Sequence, residues 1–169
     1  MLEMKVMGIA LDTRTGSPIV VLNDKENRMA LPIWIGSAEA SSIIRKIENI
    51  PSTRPMTHDL FIDIFDKTGF EIEQIVINDV EDETYYSTIA LKNEEGKRVE
   101  IDARPSDAIA IAIRADMPIF VTPEVISKGG ITTNSRKDEE EAQEFKNFIK
   151  DIKPSDFAKM INKNFESDQ

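Results

Sequence analysis

The chain has 169 residues, 40% of them hydrophobic and 31% charged, with a formal net charge of −10. That length fits one domain with a real core, and no apolar run approaches the roughly 20 residues needed to cross a bilayer. The sequence contains no cysteine, which excludes disulfides, thiolate catalysis and cysteine-based zinc or iron–sulfur sites.

Met4 to Leu11 and Pro18 to Leu22 read as two strands of a hairpin, joined by Asp12-Thr13-Arg14-Thr15-Gly16, where the glycine supplies turn chemistry. A third strand, Arg28 to Ile35, carries the lone Trp34. It leads through Gly36-Ser37-Ala38-Glu39-Ala40 into a helix that reaches about Ile47, with Ser37 as its expected cap. Asn49 to Met56 contains two prolines and little periodicity, so it reads as a connector.

The next helix is expected from Thr57 to Thr68, stopping at Gly69, with Leu60, Phe61, Ile64 and Phe65 facing inward. Asp59, Asp63 and Asp66 fall on one stripe of it, a spacing that suits oxygen ligation of Mg²⁺ or Mn²⁺ and equally suits a solvated face. Glu71 to Asn78, Thr84 to Leu91 and Lys97 to Ala103 form an antiparallel meander, with Asn93-Glu94-Glu95-Gly96 as the second turn.

Ile109, Ile111 and Ile113 alternate as in a strand, but the alanines between them and the Pro-Ser-Asp lead-in favour a buried helix over Ala108 to Ala115. Asp116-Met117-Pro118 ends it before a short strand, Ile119 to Thr122. Lys128-Gly129-Gly130 marks an expected domain edge. An acidic run, Asp138 to Glu141, then introduces Phe145, Phe148 and Ile149 at helical spacing, followed by a helix from Pro154 to about Asn164. The expected architecture is α+β: mostly antiparallel sheet with packed helices over 1–135, and an acidic C-terminal helical appendage over 136–169.

Two tracts carry candidate chemistry: Arg54-Pro55-Met56-Thr57-His58-Asp59, with the only histidine, and Arg104-Pro105-Ser106-Asp107. In each the proline fixes an extended approach, and Thr57 or Ser106 is placed to cap the helix that follows. A guanidinium, a helix N-terminus and a carboxylate then meet near one point, which suits a phosphate or a metal-bound water. The plain alternative is helix capping alone, as in Pro154-Ser155-Asp156, where no arginine directly precedes the proline.

The acidity weighs against a large nucleic-acid footprint. Residues 138–169 carry nine acids against five lysines, so about −6 of the charge belongs to residues 1–137. Any nucleic-acid chemistry needs a local basic cleft, divalent-metal screening, or both.

Leu31-Pro32-Ile33-Trp34-Ile35-Gly36, Glu39-Ala40, Arg54 to Leu60, and Asp102-Ala103-Arg104-Pro105-Ser106-Asp107-Ala108-Ile109-Ala110 together resemble the bifunctional nuclease domain. The resemblance covers roughly residues 4–135 and rests on three separated motifs in the right order. It implies an α+β fold and hydrolysis of phosphodiester bonds in RNA, DNA or both. For such a reaction Arg54 and Arg104 would clamp phosphate, and His58, with its near-neutral intrinsic pKa, would serve as general base or acid. Asp59, Asp102 and Asp107 would ligate metal or orient the histidine, with Glu39 as a further ligand. The cofactor expected is Mg²⁺ or Mn²⁺, with no organic cofactor. A purely structural alternative pairs Arg54 with Asp59 and Arg104 with Asp107. A second function class is a non-catalytic binding module that covers its sheet edges by forming a homo-oligomer, a dimer by default. A third is a sensor of small phosphate compounds. No membrane partner and no secretion signal are indicated, so the expected compartment is the cytoplasm.

Overall fold

The computed structural model describes residues 1–133 and Gln143. Its elements are β1 (Leu2–Leu11), β2 (Pro18–Asp24), β3 (Met29–Trp34), α1 (Ser37–Ile47), α2 (Thr57–Lys67), β4 (Phe70–Glu81), β5 (Thr84–Asn93), β6 (Arg98–Ala103), α3 (Pro105–Ala115), β7 (Ile119–Val121), α4 (Pro123–Gly129) and β8 (Ile131–Thr132). The eight strands form one sheet in the order β6-β5-β4-β7-β1-β2-β3-β8. Every neighbouring pair is antiparallel except β4 with β7. The fold is therefore α+β, as the strand-rich, hairpin-linked pattern implies. The 136–169 appendage and its helices lie outside the described residues. The chain does not stop at Lys128-Gly129-Gly130 but runs on into β8, which pairs with β3.

The alternating stretch after Pro105 is a helix. Ala108, Ala110 and Ala112 and Ile109 and Ile111 are all buried, so α3 is enclosed on nearly every side. Burial on both faces removes the polar stripe that normally reveals a helical period, which is why the isoleucines mimic a strand. The two buried isoleucines contribute about 1.5–3 kcal/mol each relative to exposure. α3 packs against α1 and α2 on one side and β4 and β5 on the other, which makes it the platform that gathers residues from three helices.

In a flat sheet β3 would stand about 29 Å from β6, at roughly 4.8 Å per strand. Instead, Glu39 just after β3 lies 2.9 Å from Arg104 just after β6. A Cβ built on Gly129 of α4 would sit 3.2 Å from Cζ of Tyr85 in β5 and 3.3 Å from Leu31 Cδ1 in β3. The sheet is thus coiled until its flanks approach, with α4 wedged between them.

Four expectations for the helices need correction. The residue before α1 is Gly36, the one before α2 is Met56 and the one before α3 is Arg104. Ser37 and Thr57 are the first residues of their helices, Ser106 lies one residue into α3, and none of them is the cap. In α2, Leu60, Phe61 and Ile64 are exposed, while His58, Ile62 and Phe65 face the core. The inward stripe follows i, i+4, i+7 from the histidine, and the apolar residues beside it were the misleading signal.

Candidate functional site

The site is built where the first turns of α2 and α3 meet the first half of α1. His58 is 6% exposed and stands between two partners. Its Nδ1 lies 2.6 Å from Ser42 Oγ of α1, and its Nε2 lies 2.9 Å from Asp107 Oδ1 of α3. With Nε2 protonated, the ring donates to Asp107 and accepts from the Ser42 hydroxyl. The imidazole is pinned at both nitrogens.

Arg104 closes the outer side of this pair. Its Nε donates to Asp107 Oδ2 at 2.9 Å, its Nη2 lies 2.8 Å from the same oxygen, and Nη2 donates to Glu39 Oε1 at 2.9 Å. These contacts, first with Asp107 and then with Glu39, raise the Arg104 pKa above its ordinary value, so the guanidinium stays charged. Its side chain remains largely open to solvent, while Asp107 is half-buried and Glu39 mostly covered. Gly36 makes room here, because a Cβ at that position would collide with the Glu39 carboxylate.

A second ion pair backs the first. Arg114, seven residues beyond Asp107 on α3, donates from Nε to Asp59 Oδ1 at 2.8 Å, from Nη1 to Ala110 O at 2.8 Å and from Nη2 to Ser42 O at 3.0 Å. Asp59 Oδ2 also accepts the Met56 amide at 2.9 Å, closing the first turn of α2. Partial burial pushes the Asp59 pKa up. The Met56 amide, the Arg114 guanidinium and the His58 charge outweigh it and hold the carboxyl below its usual value.

The two tracts therefore converge through His58, Asp59, Arg104 and Asp107, joined by Glu39. Arg54 and Asp102 are not brought in: both are exposed, and neither makes a side-chain hydrogen bond or ion pair among the described residues. The partner of Asp59 is Arg114, where a structural reading of the sequence would choose Arg54. Strand alternation sends Asp102 to the face opposite Ile101 and Ala103, which pack on the core. Ser42 and Arg114 are the members the motifs do not reveal. Their signal is spacing: Glu39 and Ser42 are i, i+3 on α1, and Asp107, Ala110 and Arg114 share a face of α3.

The carboxylates do not fit a protein-held metal ion. Glu39, Asp107 and Asp59 are each bound to an arginine, Asp102 stands apart, and no group of three or more His, Asp or Glu side chains among the described residues is arranged to hold one. A basic hollow of about 260 Å³ lies on the Asp59 side, lined by Arg45, Lys46, Asn49, Ser52 and Arg114. No helix among the described residues is long and apolar enough to cross a membrane.

The fold and the site together define an α+β domain whose helices lock one histidine into a carboxylate–arginine network. A family profile described as the bifunctional nuclease domain matches residues 20–134. An uncharacterised protein of Mycobacterium tuberculosis is 32% identical over 163 residues, covering 92% of this chain and 97% of its own length. Bifunctional nuclease 2 of Arabidopsis thaliana is 30% identical over 107 residues and bifunctional nuclease 1 of Oryza sativa subsp. japonica 26% over 123, the matches spanning 32% and 37% of those plant proteins. The chain belongs to the bifunctional nuclease domain family.

Proposed function

We propose that this protein hydrolyses phosphodiester bonds of RNA, DNA or both at the Arg104–Asp107–His58 cluster. The observation that carries the reading is that Asp107 links a solvent-facing arginine to the buried, doubly held His58. A polyanion reaching Arg104 offers it phosphate oxygens in place of the carboxylates, a matched bidentate partner for guanidinium. Release of Arg104 leaves the Asp107 carboxylate facing the substrate with His58 behind it. In this proposal Asp107 takes the proton of the attacking water as its oxygen bonds to phosphorus, His58 positions Asp107 and stabilises the protonated pair, Arg104 offsets the charge that develops on the phosphate, and the P–O bond to the leaving sugar oxygen breaks as that oxygen takes a proton from solvent. Glu39 holds Arg104 in the resting state. Arg45 and Lys46, with Arg54 on the adjoining connector, provide the local basic surface that an acidic chain needs to hold a strand. Mg²⁺ or Mn²⁺ has its place as a screen for the substrate's phosphates, and no step passes through a protein-held metal.

The test compares wild type with Arg104→Ala and His58→Ala, each verified as folded, on single-stranded RNA and DNA with Mg²⁺, Mn²⁺ or EDTA. Arg104 is exposed, so its removal should spare the fold and abolish cleavage. A second reading is a non-catalytic binding module in which the network only ties three helices together. It is favoured by the burial of His58 with both ring nitrogens engaged. Under it, purified protein cleaves nothing, and Arg104→Ala changes stability alone.

A further inference from the structure

A sizeable cavity lies outside the His58 cluster. It has a volume of about 720 Å³, and neither Ser42, His58, Arg104 nor Asp107 lines it. Its walls come from the end of β3, the turn between β4 and β5, and the α4–β8 segment, where the coiled sheet brings its flanks together.

One wall is Trp34, whose side chain is 53% exposed. The indole N–H donates to Asp12 Oδ2 at 3.1 Å, and Asp12 Oδ1 accepts the Arg14 amide at 2.9 Å. The ring is held by its edge, and Trp34, half exposed, lines the cavity. Tyr85, also in the lining, lies close against Gly129, a position where any Cβ would meet its hydroxyl. Two aromatic side chains thus line the cavity, together with the apolar Pro32, Val80 and Ile131.

The charges in the walls decide what such a groove takes. The Lys128 ammonium is committed, donating to Glu124 Oε1 at 2.7 Å and Val80 O at 3.3 Å. Arg14 stands 3.7 Å from Asp12 and offsets it. Asp82 and Glu83, at the turn, make no side-chain hydrogen bond or ion pair among the described residues. The uncommitted charge is therefore two carboxylates beside exposed aromatic surface. A phosphate would meet repulsion there, whereas a cation gains both the carboxylates and the ring faces. Among cations, a guanidinium stacks flat on indole and pairs with carboxylate through two parallel hydrogen bonds, which an ammonium cannot do. The volume exceeds that of one side chain, leaving room for flanking peptide.

We propose that this groove binds an arginine side chain presented by a basic peptide segment, stacked on Trp34 and paired with Asp82 and Glu83. The site is independent of the hydrolytic reading.

Trp34 is the only tryptophan in the chain, so its fluorescence reports on the groove directly. Full-length protein is titrated with blocked Gly-Gly-Arg-Gly-Gly, with the same peptide carrying citrulline, which keeps the shape and removes the charge, and with a single-stranded RNA hexamer. The arginine peptide should give a saturable change. Citrulline should bind at least about tenfold more weakly, equivalent to about 1.4 kcal/mol. Asp82→Asn with Glu83→Gln should weaken the arginine peptide by a similar factor. These changes keep the side-chain shapes at an exposed turn, and asparagine tolerates the positive φ of 46° at residue 82. Calorimetry on Trp34→Leu, checked for fold by circular dichroism, should show the same loss without relying on the fluorophore. Equal binding of the citrulline peptide, unchanged affinity in the double variant, a response to the RNA alone, or no saturation by about 10 mM arginine peptide would overturn the proposal.

Discussion

Replacing Arg114 with alanine tests whether the second ion pair holds the three helices together. The side chain is 8% exposed and makes three hydrogen bonds, to Asp59 of α2, Ser42 O of α1 and Ala110 O of its own helix. Hydrogen bonds from a charged donor are worth about 1.5–3 kcal/mol each, but the three do not count equally. Asp59 keeps access to water, and Ala110 O lies within the helix ladder of α3, so both losses are discounted. The Ser42 carbonyl has less recourse. A total of about 3 kcal/mol follows, within the 3–5 kcal/mol range for breaking a buried pair. For a chain of this size that lowers Tm by about 6–12 °C. Urea unfolding at neutral pH, read by circular dichroism, measures it. Arg114→Lys should recover only part, because one ammonium cannot reach three acceptors on three elements. A loss below about 1 kcal/mol for Arg114→Ala would refute the view that this residue couples α1, α2 and α3.

Further expectations rest on other features. Because the folded pKa of Asp59 is depressed, its ion pair adds stability above the unfolded carboxylate pKa, about 3.9, and that contribution is lost as pH falls through the folded value. Wild type should therefore lose more stability on acidification than Asp59→Asn, which urea curves from pH 6 downward would detect; parallel curves would contradict this. In α2, Ile64→Ser should change stability by under about 0.5 kcal/mol, whereas Phe65→Ala should cost about 3–5 kcal/mol. The reverse order would restore the inward-facing stripe expected from the sequence. Gly129→Ala should destabilise by about 1–3 kcal/mol through collision with Tyr85, and adding Tyr85→Phe should recover part of it. No recovery would mean that the conflict lies with Leu31 instead.

Strand positions and the α+β class were legible because hairpin turns and β-branched runs are local signals, whereas the pairings of β7 with β1 and β4 and of β8 with β3 join distant segments and left no local mark. What the sequence hid was the consequence of enclosure. α3 is buried on both faces, so it shows no helical polarity. α2 turns a histidine inward and an apolar row outward, so hydrophobicity points to the wrong face. The two similar tracts that carry His58, Asp59, Arg104 and Asp107 were visible in the sequence, but their convergence was not, and Ser42 and Arg114 join only through packing of α1 and α3. Arg54 and Asp102 belong to the same motifs and stand apart, because adjacency in sequence does not carry a side chain across a proline connector or through a sheet.

The most direct test of the central claim is cleavage of single-stranded RNA and DNA by highly purified protein beside folded Arg104→Ala and His58→Ala, each with Mg²⁺, Mn²⁺ or EDTA. Wild type should cleave, and the cleavage should disappear in both variants. Equal cleavage by all three proteins, or none by any of them, would contradict the hydrolytic role assigned to the cluster.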